Sequence, residues 1–145
     1  MIRQITRSAD ETAGMGRTFG AGLRPGDAVA LLGELGSGKT QFARGVCEAL
    51  RTSGHVGSPT FTIIREYPAD GLTVVHADLY RVRAPAEVAE LGLVEYFRPP
   101  FVCLIEWAEP ILDLLPEDSY IVTCAHTGAE EERRIDIRRT GEVAA

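Results

Sequence analysis

Residues 33–40 read Gly-Glu-Leu-Gly-Ser-Gly-Lys-Thr, a complete G-x-x-x-x-G-K-T pattern, the Walker A motif. Few eight-residue patterns restrict a fold as tightly. Its glycines let the backbone curl until successive N–H groups point inward, where phosphate oxygens can accept from them. Lys39 then reaches the β- and γ-phosphates of a nucleotide, and the Thr40 hydroxyl is placed to ligate Mg²⁺. The flanks agree. Ala28–Leu32 is an unbroken apolar run, as a parallel strand covered on both faces requires. Beyond the motif, Phe42, Ala43, Val46, Cys47 and Leu50 recur at helical spacing. Strand, glycine loop and helix in this order predict a nucleoside triphosphate site.

Lys39 is also the only lysine in the chain; the other fourteen of its 15 basic residues are arginine. Where any positive charge would serve, this sequence uses the planar guanidinium. A lysine retained here points to a task that needs a compact ammonium on a thin stem.

At 145 residues the chain predicts one domain with one core. No apolar run approaches the ~18 residues of a membrane span, and Met1-Ile2-Arg3-Gln4 offers no signal-peptide h-region, so a cytoplasmic protein is expected. Cys47, Cys103 and Cys124 are far apart, without metal-binding spacing, and read as reduced packing residues. His55 and His126 have no metal-spaced companions either. A net charge of −6 argues against broad, unaided nucleic-acid binding, which depends on neutralising phosphates.

The remaining elements follow from periodicity and punctuation. Residues 2–6 form a short first strand, and Ser8 caps a helix to about Gly20 with Glu11 at the capping-box position. Residues 61–67 and 72–78 make an antiparallel pair around Pro68-Ala69-Asp70-Gly71. Residues 85–97 are helical in two pieces around Gly92, and Phe101–Glu106 is a buried strand. Residues 120–125 and 133–139 alternate like an exposed-edge hairpin, and residues 143–145 should fray. The order predicts an α/β, P-loop NTPase-like three-layer sandwich: a mostly parallel central sheet with antiparallel additions.

Phe101–Glu106 ends in a carboxylate, as does His76-Ala77-Asp78, so two acids are expected at the sheet edge beside the loop. Acids also follow strands as helix caps, and each alone says little. Ser58-Pro59-Thr60 stands about where a switch loop sensing a γ-phosphate would, yet the same residues suit an ordinary proline turn. Trp107 is the sole tryptophan, compatible with core packing or with nucleotide contact. Arg133, Arg134, Arg138 and Arg139 face Glu130, Glu131 and Glu132 in charge, which suggests local pairing of small worth.

The loop at 33–40, then Ser58-Pro59-Thr60-Phe61-Thr62, His76-Ala77-Asp78-Leu79-Tyr80-Arg81 and Ile105-Glu106-Trp107 resemble, in order and spacing, the TsaE (YjeE) family. The likeness covers residues 8–137. It implies an ATP-binding, slowly hydrolysing, Mg²⁺-dependent component of bacterial tRNA threonylcarbamoyladenosine synthesis. On that resemblance the protein is a monomer alone, works with the TsaD–TsaB heterodimer, and meets tRNA only through that complex. Carried over by motif position, Lys39 contacts phosphates, Thr40 and Glu106 hold Mg²⁺, Thr60 is the switch threonine, and Asp78 lies near the γ-phosphate and water. Glu34, Leu35, Gly36, Ser37, Gly38 and Gln41 fall in the nucleotide loop; Trp107, Ser8, Thr12 and Arg133 lie near the nucleotide. The chain departs from the family's usual loop at Glu34 (for Asp), Ser37 (for Ala) and Gln41 (for Thr). Two alternatives stay open on residues alone: a small-molecule kinase with residues 85–98 as its lid, and a non-catalytic module whose switch is ordered by ATP.

Overall fold

The computed structural model describes residues 1–53 and 63–141. The proposed switch at Ser58-Pro59-Thr60, His55 and the terminal residues 143–145 lie outside them. Among the described residues seven strands form one sheet: β1 (Ile2–Thr6), β2 (Ala28–Leu32), β3 (Ile64–Pro68), β4 (Thr73–Asp78), β5 (Phe101–Glu106), β6 (Tyr120–His126) and β7 (Arg133–Arg139). Their spatial order is β1-β7-β6-β2-β5-β4-β3. The centre, β6-β2-β5-β4, is parallel, while β1, β7 and β3 join antiparallel. The carboxyl ends of the four parallel strands therefore open on one edge, with the P-loop strand β2 between two of the others.

Side-chain alternation explains the three layers. Val29 and Leu31 of β2, Val74 of β4, and Val102 and Leu104 of β5 pack beneath α1 (Ala9–Gly20) and α2 (Lys39–Leu50) through Phe42, Ala43, Val46 and Cys47. The opposite set, Ala28, Ala30, Val75, Ala77, Cys103 and Ile105, faces Val88 of α3 (Pro85–Leu91) and Leu93 and Ile111 of two 3₁₀ helices, Leu93–Tyr96 and Glu109–Leu114. Because β2, β4 and β5 are interior, both of their faces must be apolar, which is why they read as continuous runs. Cys47, Cys103 and Cys124 are buried, and loss of hydration pushes each thiol up to about 12. They are packing groups.

Helices α1 and α2 approach closely. A Cβ at Gly16 would overlap the Phe42 carbonyl, and one at Gly45 the Ala13 carbonyl. That contact brings the start of α1 against the start of α2, which builds one wall of the site.

The hairpin of β6 and β7 is not at an edge. β1 pairs along β7, from Ile2 opposite Ile137 to Thr6 opposite Arg133, so β7 is interior and β1 is the edge strand. Exposed Arg134 alternating with buried Ile135 and Ile137 reports one wet sheet face, not an unpaired edge. The Glu11 cap also differs in detail. Ser8 Oγ accepts from Glu11 N at 3.0 Å as expected, but the Glu11 carboxylate accepts from Arg7 N, the residue before the cap. Residues 85–97 do break at Gly92, whose φ of 71° ends α3. Val88 and Leu93 are fully buried, so this segment is part of the second helical layer and does not hang over the cleft as a lid.

Candidate nucleotide site

A cleft of about 650 Å³ opens at the carboxyl edge of the parallel strands, within the size range of small-molecule sites. Its floor is the glycine loop. After Leu32 the chain turns through Gly33, Gly36 and Gly38, all at positive φ; at Gly38 (φ 109°) the chain enters α2 directly. Ser37 N donates to Glu34 O at 3.1 Å inside the loop, and Phe42 N to Gly38 O at 2.9 Å begins the helix. Among the described residues no side chain caps α2, and its first turn has no acidic residue, so the positive end of the helix is left for the cleft.

Lys39 lies along the loop. Its Nζ donates to the carbonyls of Gly33 and, at 3.3 Å, Glu34, and sits 3.5 Å from the centroid of the Trp107 ring. Burial lowers the Lys39 pKa from its ordinary 10.5, and the charges of Glu106, Glu109 and Asp78 oppose that shift. Trp107 adopts φ 56° at the end of β5, a left-handed conformation that is rare for a bulky side chain. The turn sets the indole against Lys39 and, edge-on at 4.9 Å, against Tyr80. Half-buried, it both lines the cleft and packs against the second apolar cluster.

Strand register supplies the acids. β4 and β5 pair with Asp78 opposite Glu106, so His76, Asp78 and Glu106 share the sheet face that α2 covers. Glu106 is only 2% exposed. Its Oε1 accepts from Thr40 Oγ1 at 3.1 Å, and its Oε2 lies 2.6 Å from His76 Nε2. Asp78 also lines the cleft, with Oδ1 accepting from Tyr80 N at 2.9 Å. Two hard oxygen donors from Thr40 and Glu106 side by side suit Mg²⁺, which takes one or two protein oxygens and completes its shell with phosphate and water.

The remaining wall comes from α1 and β7. Thr12 shares a 2.7 Å hydroxyl contact with Thr6 and faces Gly38, where a Cβ would lie 3.3 Å from its methyl. Among the described residues Arg133 forms no ion pair with the carboxylates at 130–132; its Nη1 donates to the backbone carbonyl of Glu132 at 2.8 Å. Its Nε donates to Gly36 O at 3.2 Å, fastening the loop to β7.

The cleft thus brings together Thr12, Leu35–Gln41 as a run, Asp78, Glu106, Trp107 and Arg133. Ser8 is engaged in capping α1, and the adjacent Ala9 occupies the wall. Glu34 contributes its carbonyl to Lys39 and Ser37 rather than its carboxylate to the cleft. Thr60 falls outside the described residues. Sequence reasoning quoted His76, Tyr80 and Arg81 within a motif but gave none of them a place in the ATPase site; Tyr80 and Arg81 line the cleft and His76 is buried beneath it. The signal for His76 was there: an imidazole inside an apolar strand, two residues from a candidate acid and on its face.

Residues 6–135 match the family model described as "Threonylcarbamoyl adenosine biosynthesis protein TsaE". A protein of Bacillus subtilis named tRNA threonylcarbamoyladenosine biosynthesis protein TsaE is 40% identical over 140 residues, covering 97% of this chain and 87% of its own. The Treponema pallidum protein of the same name is 38% identical, covering 84% and 88%. A crystal structure of Bacillus subtilis YdiB superposes with a TM-score of 0.81 at 35% identity, over 97% of this chain and 86% of that one. With the mixed α/β sheet, the glycine loop and the sheet-edge acids in the same chain, these matches settle its kinship: it belongs to the TsaE family.

Proposed function

We propose that the protein is a Mg²⁺-dependent ATPase of low intrinsic turnover that serves tRNA N6-threonylcarbamoyladenosine formation together with TsaD–TsaB. The observation that carries the reading is the convergence of Lys39, Thr40, Glu106 and Asp78 on one cleft at the end of β2. In it, loop N–H groups and the α2 terminus receive the phosphates, and Lys39 neutralises charge on the β- and γ-oxygens. Thr40 and Glu106 would hold the metal ion, which would draw charge from the phosphate oxygens when bound. Asp78, which also lines the cleft, would orient the attacking water. Trp107 covers the Lys39 ammonium, with Tyr80 edge-on against the indole, and the reduced solvent at Lys39 strengthens its field at the phosphates.

A chain with net charge −6 has little to offer a tRNA directly, so its action on the modification passes through TsaD–TsaB. The kinase alternative loses its lid, because α3 and the 3₁₀ helix after it are anchored by Val88 and Leu93.

Nucleotide occupancy has a simple chemical readout. With one lysine in the sequence, an amine-acylating reagent can mark only Lys39 and the N-terminus. Its lowered pKa supplies more free amine at mildly alkaline pH than an ordinary lysine would. Mass spectrometry should find Lys39 acylation suppressed by saturating Mg-ATP and unaffected by adenosine, while the N-terminus reacts equally in both. Equal Lys39 labelling with and without Mg-ATP would remove the lysine from the phosphate site.

A further inference from the structure

His76 is fully buried in β4, beside Leu104 of β5 and Arg65 of β3 in the strand register and with the Tyr67 ring 6.5 Å away. It makes one polar contact, Nε2 to Glu106 Oε2 at 2.6 Å, and its Nδ1 has no hydrogen-bond partner among the described residues. A side chain kept in an apolar layer for a single hydrogen bond marks what that bond holds. An ionised Glu106 can only accept, so the partner must be the Nε2–H group. The carboxylate is thereby divided: Oε2 is committed to His76, and Oε1 is turned towards Thr40 Oγ1, 3.1 Å away, at the cleft. Without a donor on Oε2 the Glu106 side chain has no other polar anchor on that side among the described residues, and its oxygens can exchange places or rotate from the Thr40 direction.

We infer that His76 is a positioning residue for the metal site: it fixes the Glu106 carboxylate so that one defined oxygen stands beside the Thr40 hydroxyl. The inference rests on the proposed roles of Thr40 and Glu106 as metal ligands, and it assigns His76 no contact with nucleotide or ion.

The test reads metal linkage rather than turnover. Nucleotide affinity is followed by emission of the sole tryptophan, Trp107, across a Mg²⁺ titration and again in EDTA. In His76→Leu the Mg²⁺ concentration for half effect should rise about tenfold or more, while affinity in EDTA stays within about twofold of wild type. His76→Gln places an amide N–H near the former Nε2 and should restore most of the metal response. His76→Asn ends one bond short and should behave like the leucine variant. In a Glu106→Gln background, His76→Leu should add no further shift in the metal requirement, since the two residues act as one unit. A purely structural His76 would instead lower the melting temperature in every background and leave the half-point unchanged, which would overturn the inference. Should the leucine variant not fold, the Gln and Asn pair still decides, and equal half-points for those two also overturn it. If wild-type affinity shows no Mg²⁺ dependence at all, the metal-ligand reading of Thr40 and Glu106 falls and this inference with it. A metal-dependent wild type matched by His76→Leu removes the inference alone.

Discussion

Replacing Lys39 with alanine should weaken ATP binding by roughly ten- to a hundredfold and leave adenosine binding nearly unchanged. In the proposed site the ammonium would make charge-assisted contacts with the β- and γ-phosphates, which adenosine lacks, and such contacts are worth about 1.5–3 kcal/mol. Calorimetric titration of both ligands against both proteins gives the comparison. The fold should survive. Lys39 lies at the first position of α2, where alanine is a good helix former, and removing it relieves the burial that already disfavours its charge. A pH series adds a second signature. Burial sets the Lys39 pKa of the nucleotide-free protein below 10.5, so the wild-type advantage should fade at lower pH than an ordinary lysine would give. The sign is fixed: the contact is present while Lys39 is protonated and is lost as pH rises through its own pKa. Parallel loss of ATP and adenosine affinity would mean instead that the substitution has collapsed the loop.

Glu106→Gln and Asp78→Asn should each lower ATP turnover at least tenfold with the fold intact, since phosphoryl transfer depends on the placing of metal and water. The amides are better tests than alanine for reasons visible in the site. Alanine at 106 would strand the buried His76 Nε2–H and the Thr40 hydroxyl, and alanine at 78 would strip Tyr80 N of its acceptor. The amide keeps size and one acceptor oxygen but loses the charge. Only Glu106→Gln should also raise the Mg²⁺ concentration needed for half-maximal rate, because Asp78 is assigned to water. Steady-state hydrolysis across a Mg²⁺ series separates the two roles. Wild-type turnover in both variants would make the acids mere strand ends.

Most of the architecture was legible because it is written in short-range patterns. The apolar runs of β2 and β5, the glycine loop and the Gly92 break are local signals, and each element formed where its own residues dictated. The error at the β6–β7 hairpin came from a long-range fact. Alternation tells which face of a strand is wet but not whether another strand lies beside it, and β1 comes from the far end of the chain. The site divides in the same way. Lys39, Thr40, Glu106 and Asp78 announce themselves by motif and strand end. The division of the Glu106 oxygens between Thr40 and His76 depends on β4–β5 register and could not be read from spacing. Arg133 was misread as a partner of nearby acids because charge pattern cannot foresee a backbone acceptor such as Gly36 O. The left-handed turn at Trp107, which sets the indole over Lys39, has no signature in the sequence at all.

The central claim is that ATP hydrolysis in this cleft serves the TsaD–TsaB reaction. The most direct measurement follows ATP consumption and tRNA threonylcarbamoyladenosine formation together, using the purified protein with and without TsaD and TsaB and the threonylcarbamoyl donor. The account predicts slow hydrolysis by the protein alone and faster hydrolysis when TsaD–TsaB is added. It also predicts sustained tRNA modification only while ATP is hydrolysed, with loss of both signals in Glu106→Gln and no phosphorylated small molecule among the products. Hydrolysis indifferent to TsaD–TsaB, or modification that proceeds equally with Glu106→Gln, would contradict it.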